Sequence, residues 1–551
     1  MRLMKQEEFK RTIQERVFMR SSPELPIAPR GPYEYKDSSW FFDFRAVIFD
    51  ARWLDCFAEI FWERFEKNYP FQVGGLESAS IPLITAIILK GLEKKKPVHG
   101  FFIRKSRKRD GLMRMFEGSL TDHPVIIVDD ALNSGQSVYR EVLALLEMKK
   151  KITDIFVILA FRDPSSYTLM REHAIAISSI FTLQDFGLPL LPSHAPEIPR
   201  DSFEVKWRFA AGHPSFNFVL EKSAPAIDEK NVYTGSDDGF LYALEQATGN
   251  VAWKFGIGPH PQGKGVFSSP AIHKTDIYFG GYDGNVYALH TKDGSRKWTY
   301  AEADWIGSSP AIAPDLGLLF IGLEFSLSGL RGGIAALRLD TGARVWGARH
   351  RDFTHGTPLY VHGESLVVIG SGENLVHGYD ARTGVLRWRF ATRGDVKSSF
   401  AYDEKRQLIL FGSWDGKMYA LHATDGSLAF SFETSTPIFS TPLVIGDTAY
   451  MASLDKFLYA IDLDTGRLKW HFLTHGRIFS TPIIADGSLW IGSNDGRLYE
   501  LDPKTGTLLS FHQCTERIVN AIAYNEKTER FFVPTVANEI YCIERKDKHN
   551  I

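Results

Sequence analysis

Hydrophobic and polar positions follow one pattern in the first third of the chain. Val125 to Val128 form a continuous apolar run bounded by turn residues, which predicts a strand buried on both faces of a sheet. Val138, Val142 and Leu145 then recur at helical spacing, which predicts an amphipathic helix after a short loop. Strand-like and helix-like segments alternate in this way to about residue 185. The pattern predicts an α/β domain with a mostly parallel sheet and ligands at the carboxyl ends of its strands.

A different pattern follows a segment rich in proline. Short apolar strands alternate with Asp-Gly and Thr-Gly turns, and the turn glycine recurs every 40 to 48 residues. These glycines are Gly249, Gly294, Gly342, Gly384, Gly426, Gly466 and Gly506. Such a period, with tight hairpins between strands, predicts an all-β propeller with four strands per blade. The intervening prolines predict a stiff linker; they are Pro189, Pro192, Pro196 and Pro199.

The number of blades follows from the strands that close on an aromatic residue. There are eight, at Phe209, Phe255, Tyr300, Trp346, Phe390, Phe432, Phe472 and Phe511. The first precedes any complete repeat and the last repeat lacks one, so the first strand is predicted to complete the last blade and leave no free edge. We predict an eight-bladed propeller, with seven blades as the alternative. The predicted divisions are residues 1–185, a Pro-rich linker at 186–202 and the propeller at 203–551.

Composition limits the cellular compartments and the kinds of binding partner that are expected for this protein. The net charge of −2, from 64 basic and 66 acidic residues, argues against a protein that coats nucleic acid. Three distant cysteines, Cys56, Cys514 and Cys542, form no CxxC pattern, so neither a disulfide framework nor a zinc site is indicated. No apolar run is long enough to span a membrane, and the charged N-terminus is unlike a signal peptide. A cytoplasmic protein without membrane contact is expected.

The first candidate chemistry lies where the apolar run ends. Asp129 and Asp130 follow the strand, and a Gly-containing loop then leads into the helix. Backbone amides and the positive end of a helix dipole in such a loop bind phosphate. The two carboxylates suit ribose hydroxyls or a divalent cation, so the motif indicates a sugar phosphate site. The alternative is an ordinary turn with two solvated aspartates.

The second candidate is a basic run, RKSRKR, that begins at Arg104. It could neutralise a phosphorylated ligand, or it could be a solvated basic face. A nucleic-acid-binding role has only the local charge in its favour, because no aromatic residues are interleaved with the basic ones.

Four segments together resemble the type I phosphoribosyltransferases, and specifically orotate phosphoribosyltransferase, over roughly residues 35 to 165. VIIVDDALNSGQS resembles the family signature that binds phosphoribosyl pyrophosphate, and GGLESASIPLITA occupies the place of the pyrophosphate loop. SSWFFDFRAVIFDARWL resembles the Phe-Phe segment that lies against the base. RKSRKRDGLMRMFEG matches, without a gap, the loop that closes over the active site in that family. The four segments occur in the family's order.

The resemblance implies a role for each matched position. Asp129 and Asp130 would bind the ribose hydroxyls and favour the positive charge that develops on the ring during transfer. The 5′-phosphate would be bound by Asn133, Ser134, Gly135, Gln136 and Ser137. Pyrophosphate would be bound by Ser78, Ala79, Arg104, Lys105 and Lys108. The base would be contacted by Lys36, Phe41, Phe42 and Arg162. Mg²⁺ would be held mainly by the oxygens of phosphoribosyl pyrophosphate and by water, with no separate protein metal site.

Two positions depart from the family pattern. Lys108 is kept in the closing loop, but Asp110 stands where the family has a His that assists the departure of pyrophosphate. Glu77 in the pyrophosphate loop adds a second negative charge that would repel the leaving group. Lys108 and Asp110 nevertheless join Asp129 and Asp130 as the candidate catalytic residues. The departures favour either a different base or slow turnover.

The second half resembles the eight-bladed quinoprotein-type propellers through its Thr-Gly-x-x-x-Trp repeats. That family includes alcohol dehydrogenases with a quinone cofactor (PQQ) as well as cofactor-free scaffolds. The dehydrogenases have adjacent cysteines near the quinone and this chain has none, so no PQQ is expected. Trp305 and Trp414 are then expected to serve the propeller core, although Trp414 lies at a blade turn and could be exposed.

Three functions are compatible with these features. The first is phosphoribosyl transfer to a nucleobase, with an orotate-like pyrimidine as the leading candidate and the propeller as a docking module for a partner protein or substrate. The second is a regulator that senses phosphoribosyl pyrophosphate or a nucleotide with little turnover. The third is a scaffold in which the first domain is vestigial. The resemblance also implies a homodimer through the first domain.

Overall fold

The chain forms two compact units, Met1–Ile198 and Pro199–Ile551. The computed structural model describes residues 2–20, 40–104, 116–133, 135–191, 203–212, 214, 223–258, 265–326 and 331–546. The predicted linker at 186–202 is described only to residue 191. Leu188, Leu190 and Leu191 pack against the core of the first unit, and the N–H of Leu191 donates to the carbonyl of Phe161 (2.9 Å). These leucines therefore belong to the first unit, although the prolines beside them predicted linker.

The first unit contains five α-helices and eight strands among its described residues. The helices are α1 (Arg2–Thr12), α2 (Ala51–Phe65), α3 (Ser80–Glu93), α4 (Gln136–Glu147) and α5 (Thr168–Glu172). The strands are β1 (Phe18–Arg20), β2 (Trp40–Phe42), β3 (Gln72–Leu76), β4 (Gly100–Ile103), β5 (Phe116–Gly118), β6 (Val125–Leu132), β7 (Ile152–Ala160) and β8 (Ala176–Thr182). Shorter helical turns are a π turn at Ile13–Val17 and 3₁₀ turns at Phe44–Ala46, Glu66–Asn68, Pro164–Ser166 and Leu183–Phe186.

Six of these strands form one sheet in the order β5-β4-β3-β6-β7-β8. All neighbours are parallel except β5, which runs antiparallel to β4 at the edge. Strand β6 is buried on both faces: Ile126 and Val128 belong to the core that contains α2 and α3, whereas Val125 and Ile127 belong to the core that contains α4. The predicted α/β fold with a mostly parallel sheet is confirmed.

Two glycines allow β3 to lie close to its neighbours. A Cβ atom on Gly74 would stand 2.3 Å from the ring of Phe101, and one on Gly75 would stand 2.3 Å from the carbonyl oxygen of Val128. Both distances are shorter than any van der Waals contact, so a side chain at either position would force the strands apart. The glycines of the pyrophosphate-loop segment are therefore needed for sheet packing as well as for the loop.

The second unit is a ring of eight four-stranded antiparallel sheets, so the predicted eight-bladed propeller is confirmed. Blades one to four are β10–β13 (Ala226–Ile227, Asn231–Gly235, Phe240–Glu245, Val251–Gly256), β14–β17 (Ala271–His273, Asp276–Gly280, Asn285–His290, Arg296–Ala301), β18–β21 (Ala311–Ala313, Leu318–Glu324, Gly332–Arg338, Arg344–His350) and β22–β25 (Leu359–Val361, Leu366–Ser371, Leu375–Asp380, Leu386–Ala391). Blades five to seven are β26–β29 (Phe400–Asp403, Leu408–Gly412, Lys417–His422, Leu428–Glu433), β30–β33 (Leu443–Ile445, Thr448–Ala452, Phe457–Asp462, Leu468–Leu473) and β34–β37 (Ile483–Ala485, Ser488–Gly492, Arg497–Leu501, Leu508–Gln513). Blade eight combines β38–β40 (Ala523–Asn525, Arg530–Thr535, Glu539–Arg545) with β9 (Phe203–Ala210).

The last blade is completed by the first strand of the unit. Strand β9 pairs antiparallel with β40 along its whole length, from Arg545–Phe203 to Glu539–Ala210. Phe203 is 2% exposed and packs edge-on against Trp490 (ring centroids 5.5 Å apart). The pairing covers the edge of β40 that would otherwise be exposed, which removes a surface prone to aggregation.

The glycine that marks each repeat has a packing role. In six blades a tryptophan of the outer strand donates its indole N–H to a carbonyl of the next blade, as from Trp253 to Thr291 (2.9 Å). The same ring lies against the turn glycine of that next blade: a Cβ on Gly294 would be 2.6 Å from Trp253. Gly294 has a φ of +69°, so both its conformation and its contact exclude other residues. The Thr-Gly-x-x-x-Trp repeat is therefore the contact between one blade and the next.

The junction of blades three and four departs from the repeat. Five blades join a tyrosine to the aspartate four residues before it, as in Tyr419–Asp415 (2.7 Å). In blade four these positions are His377 and Glu373, 3.6 Å apart. His377 stacks on His350 of blade three (ring centroids 4.4 Å, 8° between planes). Burial lowers the pKa of His350 to about 3 and that of His377 to about 4, so both rings are neutral near pH 7.

No described helix is long and apolar enough to cross a bilayer. The cytoplasmic location stays a prediction.

Removing the ring of Phe203 should weaken the closure of the propeller. Phe203→Ala is expected to cost about 3 kcal/mol, the usual range for a buried phenylalanine, because the cavity lies between β9, Trp490 and β40. Amide hydrogen exchange of Glu539–Arg545 in the full-length chain measures the loss locally. Val205→Ala, at an exposed position of the same strand, is the control and should change protection by less than about 0.5 kcal/mol. Equal protection in both variants would contradict a closing role for β9.

Candidate active site

The site lies at the carboxyl end of β6, where this strand separates from β3. The last paired residues of β3 and β6 are Gly74 and Ile127, whereas β6 remains paired with β7 as far as Leu132. Asp129 and Asp130 therefore stand beyond the last contact with β3, at the mouth of the gap between the two strands. This is the position at which parallel α/β sheets bind ligands.

The two aspartates have different surroundings. Asp129 is 8% exposed, and its Oδ1 accepts the backbone N–H of Asp130 (3.0 Å). Burial raises the pKa of Asp130 above its ordinary value, and the negative charge of Asp43 adds to the rise. A group that bound Asp130 with hydroxyl donors or a positive charge would relieve this cost.

The phosphate loop follows directly. Gly135 has a φ of +74° and stands at the N-terminus of α4, where its carbonyl accepts the N–H of Tyr139 (2.7 Å). The backbone of Gln136 and Ser137 forms the first turn of α4, so amides of the predicted loop lie at the positive end of a helix of 12 residues. This geometry suits an anion. Ser134 and the side chains of Gln136 and Ser137 lie outside the described residues.

The pyrophosphate segment joins β3 to α3. Ser78 and Ala79 lie in this connection, the Glu77–Ser78 peptide bond is cis, and the hydroxyl of Ser80 donates to the carbonyl of Leu76. Arg104, at the end of β4, lies 3.5 Å from Glu77 and 3.1 Å from Glu117. The charge of Glu77, expected to repel pyrophosphate, is thus matched by a cation in the same site.

The two phenylalanines that are predicted to contact the base differ in burial. Phe42 is buried among Phe18, Phe44, Phe161 and Phe186, so it serves the core of the first unit. Phe41, which precedes Phe42 and lies on the other face of β2, is half-buried.

Arg162 follows β7, and its guanidinium lies 3.5 Å from the side-chain oxygen of Asn133. The structure thus brings Arg162 and Asn133 together beside the phosphate loop. Lys36, Lys105, Lys108 and Asp110 lie outside the described residues, and their roles stay predictions.

Two further residues of this region were not predicted from the sequence. Arg45 donates from Nε and Nη2 to both oxygens of Asp43 (2.7 and 2.8 Å), and the charge of Asp43 reaches Asp130. Tyr167 donates its phenolic O–H to the carbonyl of Asn133 (2.7 Å). The Asp-x-Arg spacing after the Phe-Phe segment was the available signal for the first pair. For Tyr167 the sequence offered none.

A tight protein-only metal site is not formed by the described side chains. No group of three or more His, Cys, Asp or Glu residues could hold an ion within the described ranges. Asp129 and Asp130 still provide the hard oxygen donors that Mg²⁺ prefers, so they fit an ion whose remaining ligands come from substrate and water.

The propeller places its two singled-out tryptophans differently. Trp305 is half-buried and donates its indole N–H to the buried carboxylate of Glu324, whose other oxygen lies 2.9 Å from Nδ1 of His355. Trp414 is 36% exposed, with the ammonium of Lys397 3.6 Å from its ring centroid. Trp305 thus joins a buried polar cluster, whereas Trp414 is exposed at its blade turn.

The two units are similar to different known proteins. A family model described as the outer membrane protein assembly factor BamB matches residues 201–318, 330–410 and 397–549. BamB from Moraxella catarrhalis has 17% sequence identity and a TM-score of 0.50, over 63% of this chain and 99% of that one. Quinohemoprotein alcohol dehydrogenase from Comamonas testosteroni has 14% identity and a TM-score of 0.51, over 63% and 77% of the two chains. At these identities the solved structures show a shared propeller fold.

The first unit is similar to curated orotate phosphoribosyltransferases. The enzyme of Rhodopseudomonas palustris (strain BisB5) is 25% identical over 156 residues, 27% of this chain and 83% of the enzyme. The enzyme of Pyrococcus furiosus is 29% identical over 140 residues, 25% of this chain and 74% of the enzyme. The resemblance inferred from the four sequence segments is confirmed.

The raised pKa of Asp130 gives a test of its surroundings in the unliganded protein. Because the folded state disfavours the carboxylate, Asp130→Asn should raise the unfolding temperature of the first unit at pH 7. The gain should disappear as the pH falls through the raised pKa toward the ordinary aspartate value, where the wild-type side chain takes up a proton. Differential scanning calorimetry of the full-length chain between pH 7 and 4 measures this.

Asp122→Asn is the matched control with the opposite sign. Its hydrogen bond to Lys150 (2.7 Å) lowers the pKa of Asp122, so this variant should lose a little stability at pH 7, and the loss should persist down to pH 4 and shrink only below the ordinary aspartate value. A destabilised Asp130→Asn at pH 7 would contradict the electrostatic account.

Proposed function

This chain belongs to the family of the outer membrane protein assembly factor BamB through its propeller, and we propose that its catalytic activity lies in the other unit. The proposed reaction is the transfer of a phosphoribosyl group from phosphoribosyl pyrophosphate to a nucleobase, with an orotate-like pyrimidine as the leading acceptor. The observation that carries the proposal is the position of Asp129 and Asp130 beside the N-terminus of α4, at the open carboxyl end of β6.

This arrangement matches the parts of the substrate. The amides at the start of α4 suit the 5′-phosphate, and the two carboxylates suit the ribose hydroxyls. In the reaction the bond from ribose C1 to the pyrophosphate oxygen breaks, its electron pair leaves with pyrophosphate, and a ring nitrogen of the base supplies the pair for the new bond and releases its proton to solvent. Positive charge develops on the ribose ring, where two carboxylates stabilise it.

Arg104 would bind the departing pyrophosphate. It is held by Glu77 and Glu117, so phosphate oxygens would replace carboxylate oxygens as its partners. Mg²⁺, bound mainly through substrate oxygens and water with Asp129 and Asp130 in reach, would neutralise charge on the pyrophosphate. Lys108 would close over the same group from the loop outside the described residues.

The propeller would act as a docking module for a partner protein or for the molecule that carries the acceptor base. The exposed Trp414 with Lys397 over its ring offers one contact of a kind common in protein interfaces.

A second candidate function is a sensor that binds phosphoribosyl pyrophosphate or a nucleotide without useful turnover. Its specific support is Asp110, which places a carboxylate where the resembled enzymes have a histidine.

The double variant Asp129→Asn/Asp130→Asn tests the transfer reaction. It should lower pyrophosphate release from magnesium phosphoribosyl pyrophosphate by about 100-fold, because loss of one preorganised charge-stabilising group typically costs about 3 kcal/mol. The assay uses the full-length chain with a panel of pyrimidine and purine bases. Asp122→Asn, a surface carboxylate before β6, serves as the control and should leave the rate unchanged. Equal rates in wild type and double variant would refute the roles of Asp129 and Asp130.

Variants at Asp110 and Lys108 distinguish the enzyme from the sensor. If transfer chemistry is limited by the loop, Asp110→His should raise pyrophosphate release about tenfold, equivalent to about 1.4 kcal/mol, and Lys108→Ala should abolish it. Calorimetric titration with phosphoribosyl pyrophosphate accompanies the assay. An unchanged rate in Asp110→His, together with weaker binding in Lys108→Ala, would support the sensor. If neither variant changes binding or rate, the loop that carries Lys108 and Asp110 is not part of the site.

A further inference from the structure

The connection between β7 and β8 contacts three residues at the start of the phosphate loop. The O–H of Tyr167 donates to the backbone carbonyls of Asn133 (2.7 Å) and Leu132 (3.2 Å). Arg162, five residues earlier, reaches the side-chain oxygen of Asn133 (3.5 Å). The ring of Tyr167 lies against Gly135, where a Cβ atom would be 2.9 Å from Cδ1. One segment thus holds residues on both sides of Ser134, the centre of the predicted phosphate site.

Tyr167 is suited to hold a backbone in place. Its side chain is 6% exposed and packs within the core between the sheet and α4. Burial raises the pKa of its phenol above the ordinary value, so the O–H remains a donor at every pH at which the protein is handled. A buried hydroxyl with a carbonyl acceptor at 2.7 Å fixes the acceptor strongly, because breaking the bond would leave two polar groups without water.

The ring contact restrains the loop from the other side. Gly135 adopts a left-handed conformation at the N-cap of α4, and the backbone amides that follow it form the first turn of the helix. The ring of Tyr167 occupies the space in which a side chain at position 135 would stand. The hydrogen bond before Ser134 and the ring contact after it together limit how far the loop can move.

We infer that Tyr167 is a positioning residue for the phosphate loop, and that its hydroxyl sets the affinity of the site for a ribose 5-phosphate group. The inference rests on the proposed function, because it assigns a ligand group to the same loop. Its substrate class is any sugar phosphate or nucleoside 5′-monophosphate that places a phosphate on these amides.

The connection between β7 and β8 also carries residues assigned to both ends of such a ligand, the phosphate and the base. Arg162, a predicted base contact, and Tyr167 both hold Asn133, one by its side chain and the other by its backbone. A displacement of Tyr167 would therefore disturb the phosphate end first and the base end second. Arg104, to which the pyrophosphate group is assigned, follows β4, which lies on the other side of β3 from β6 and β7.

Tyr167→Phe tests the inference by removing a single oxygen atom and keeping the ring against Gly135. Calorimetric titration of the full-length chain uses two probes separately, ribose 5-phosphate and magnesium pyrophosphate. Affinity for ribose 5-phosphate should fall about fivefold, the size expected for one buried hydrogen bond, and affinity for magnesium pyrophosphate should stay unchanged.

Tyr69→Phe is the matched control. Tyr69 also donates its phenolic O–H to a backbone carbonyl, that of Pro97 (3.4 Å), but it lies far along the chain from the loop and is 37% exposed. This variant should leave both affinities unchanged. Amide exchange of residues 135–139 provides a second measurement, with faster exchange expected in Tyr167→Phe and wild-type exchange in Tyr69→Phe.

The outcomes separate the inference from the function on which it rests. Wild-type protein that binds neither probe would overturn both. Wild-type binding that Tyr167→Phe leaves intact, with unchanged amide exchange, would overturn only the positioning role. An equal loss for both probes would show general destabilisation and would also overturn it. A loss confined to ribose 5-phosphate supports the inference.

Discussion

The unequal pairing of β6 with its two neighbours determines where the first unit can bind a ligand. Backbone groups of a buried parallel strand must find partners in adjacent strands, and β6 finds them in β7 along its full length but in β3 only to Ile127. Asp129 and Asp130 therefore end a strand that is rigid on one side and open on the other. The phosphate loop, the pyrophosphate segment and Arg162 are all carried by elements that start or finish at this opening.

Much of the architecture could be predicted from the sequence because it depends on short-range periodicity. The run from Val125 to Val128 and the helical spacing after it predicted β6 and α4, and both faces of β6 are buried as expected. The eight blades followed from turn glycines and aromatic strand ends. The structure supplies the reason: each turn glycine has a left-handed conformation and receives the aromatic ring of the preceding blade. A residue required by conformation and by packing at once leaves a strong signal.

The remainder depends on contacts between residues that are distant in the chain. Tyr167 meets Asn133 across 34 positions, and Arg104 meets Glu77 at the ends of two adjacent strands, so no local pattern predicts either contact. The charge of Glu77 looked unfavourable because its partner could not be inferred. Phe42 resembles a base contact by motif, and its ring packs into the aromatic core beside β1, a contact that no local pattern predicted; its role toward a base stays a prediction. Conversely, the prolines after Gly187 predicted linker and concealed three leucines that complete the first core.

The stacked histidines between blades three and four bear on how the ring assembles. Six of the eight junctions between blades share one contact, in which a tryptophan of the outer strand donates to a carbonyl of the next blade. His350 ends a strand of seven residues where the outer strands of the adjacent blades have six, and its ring stacks on the imidazole of His377 and is hydrogen-bonded to the hydroxyl of Tyr379 (2.9 Å). A mismatched pairing of blade three with any blade other than blade four would lose this stack and the hydrogen bond between His350 and Tyr379.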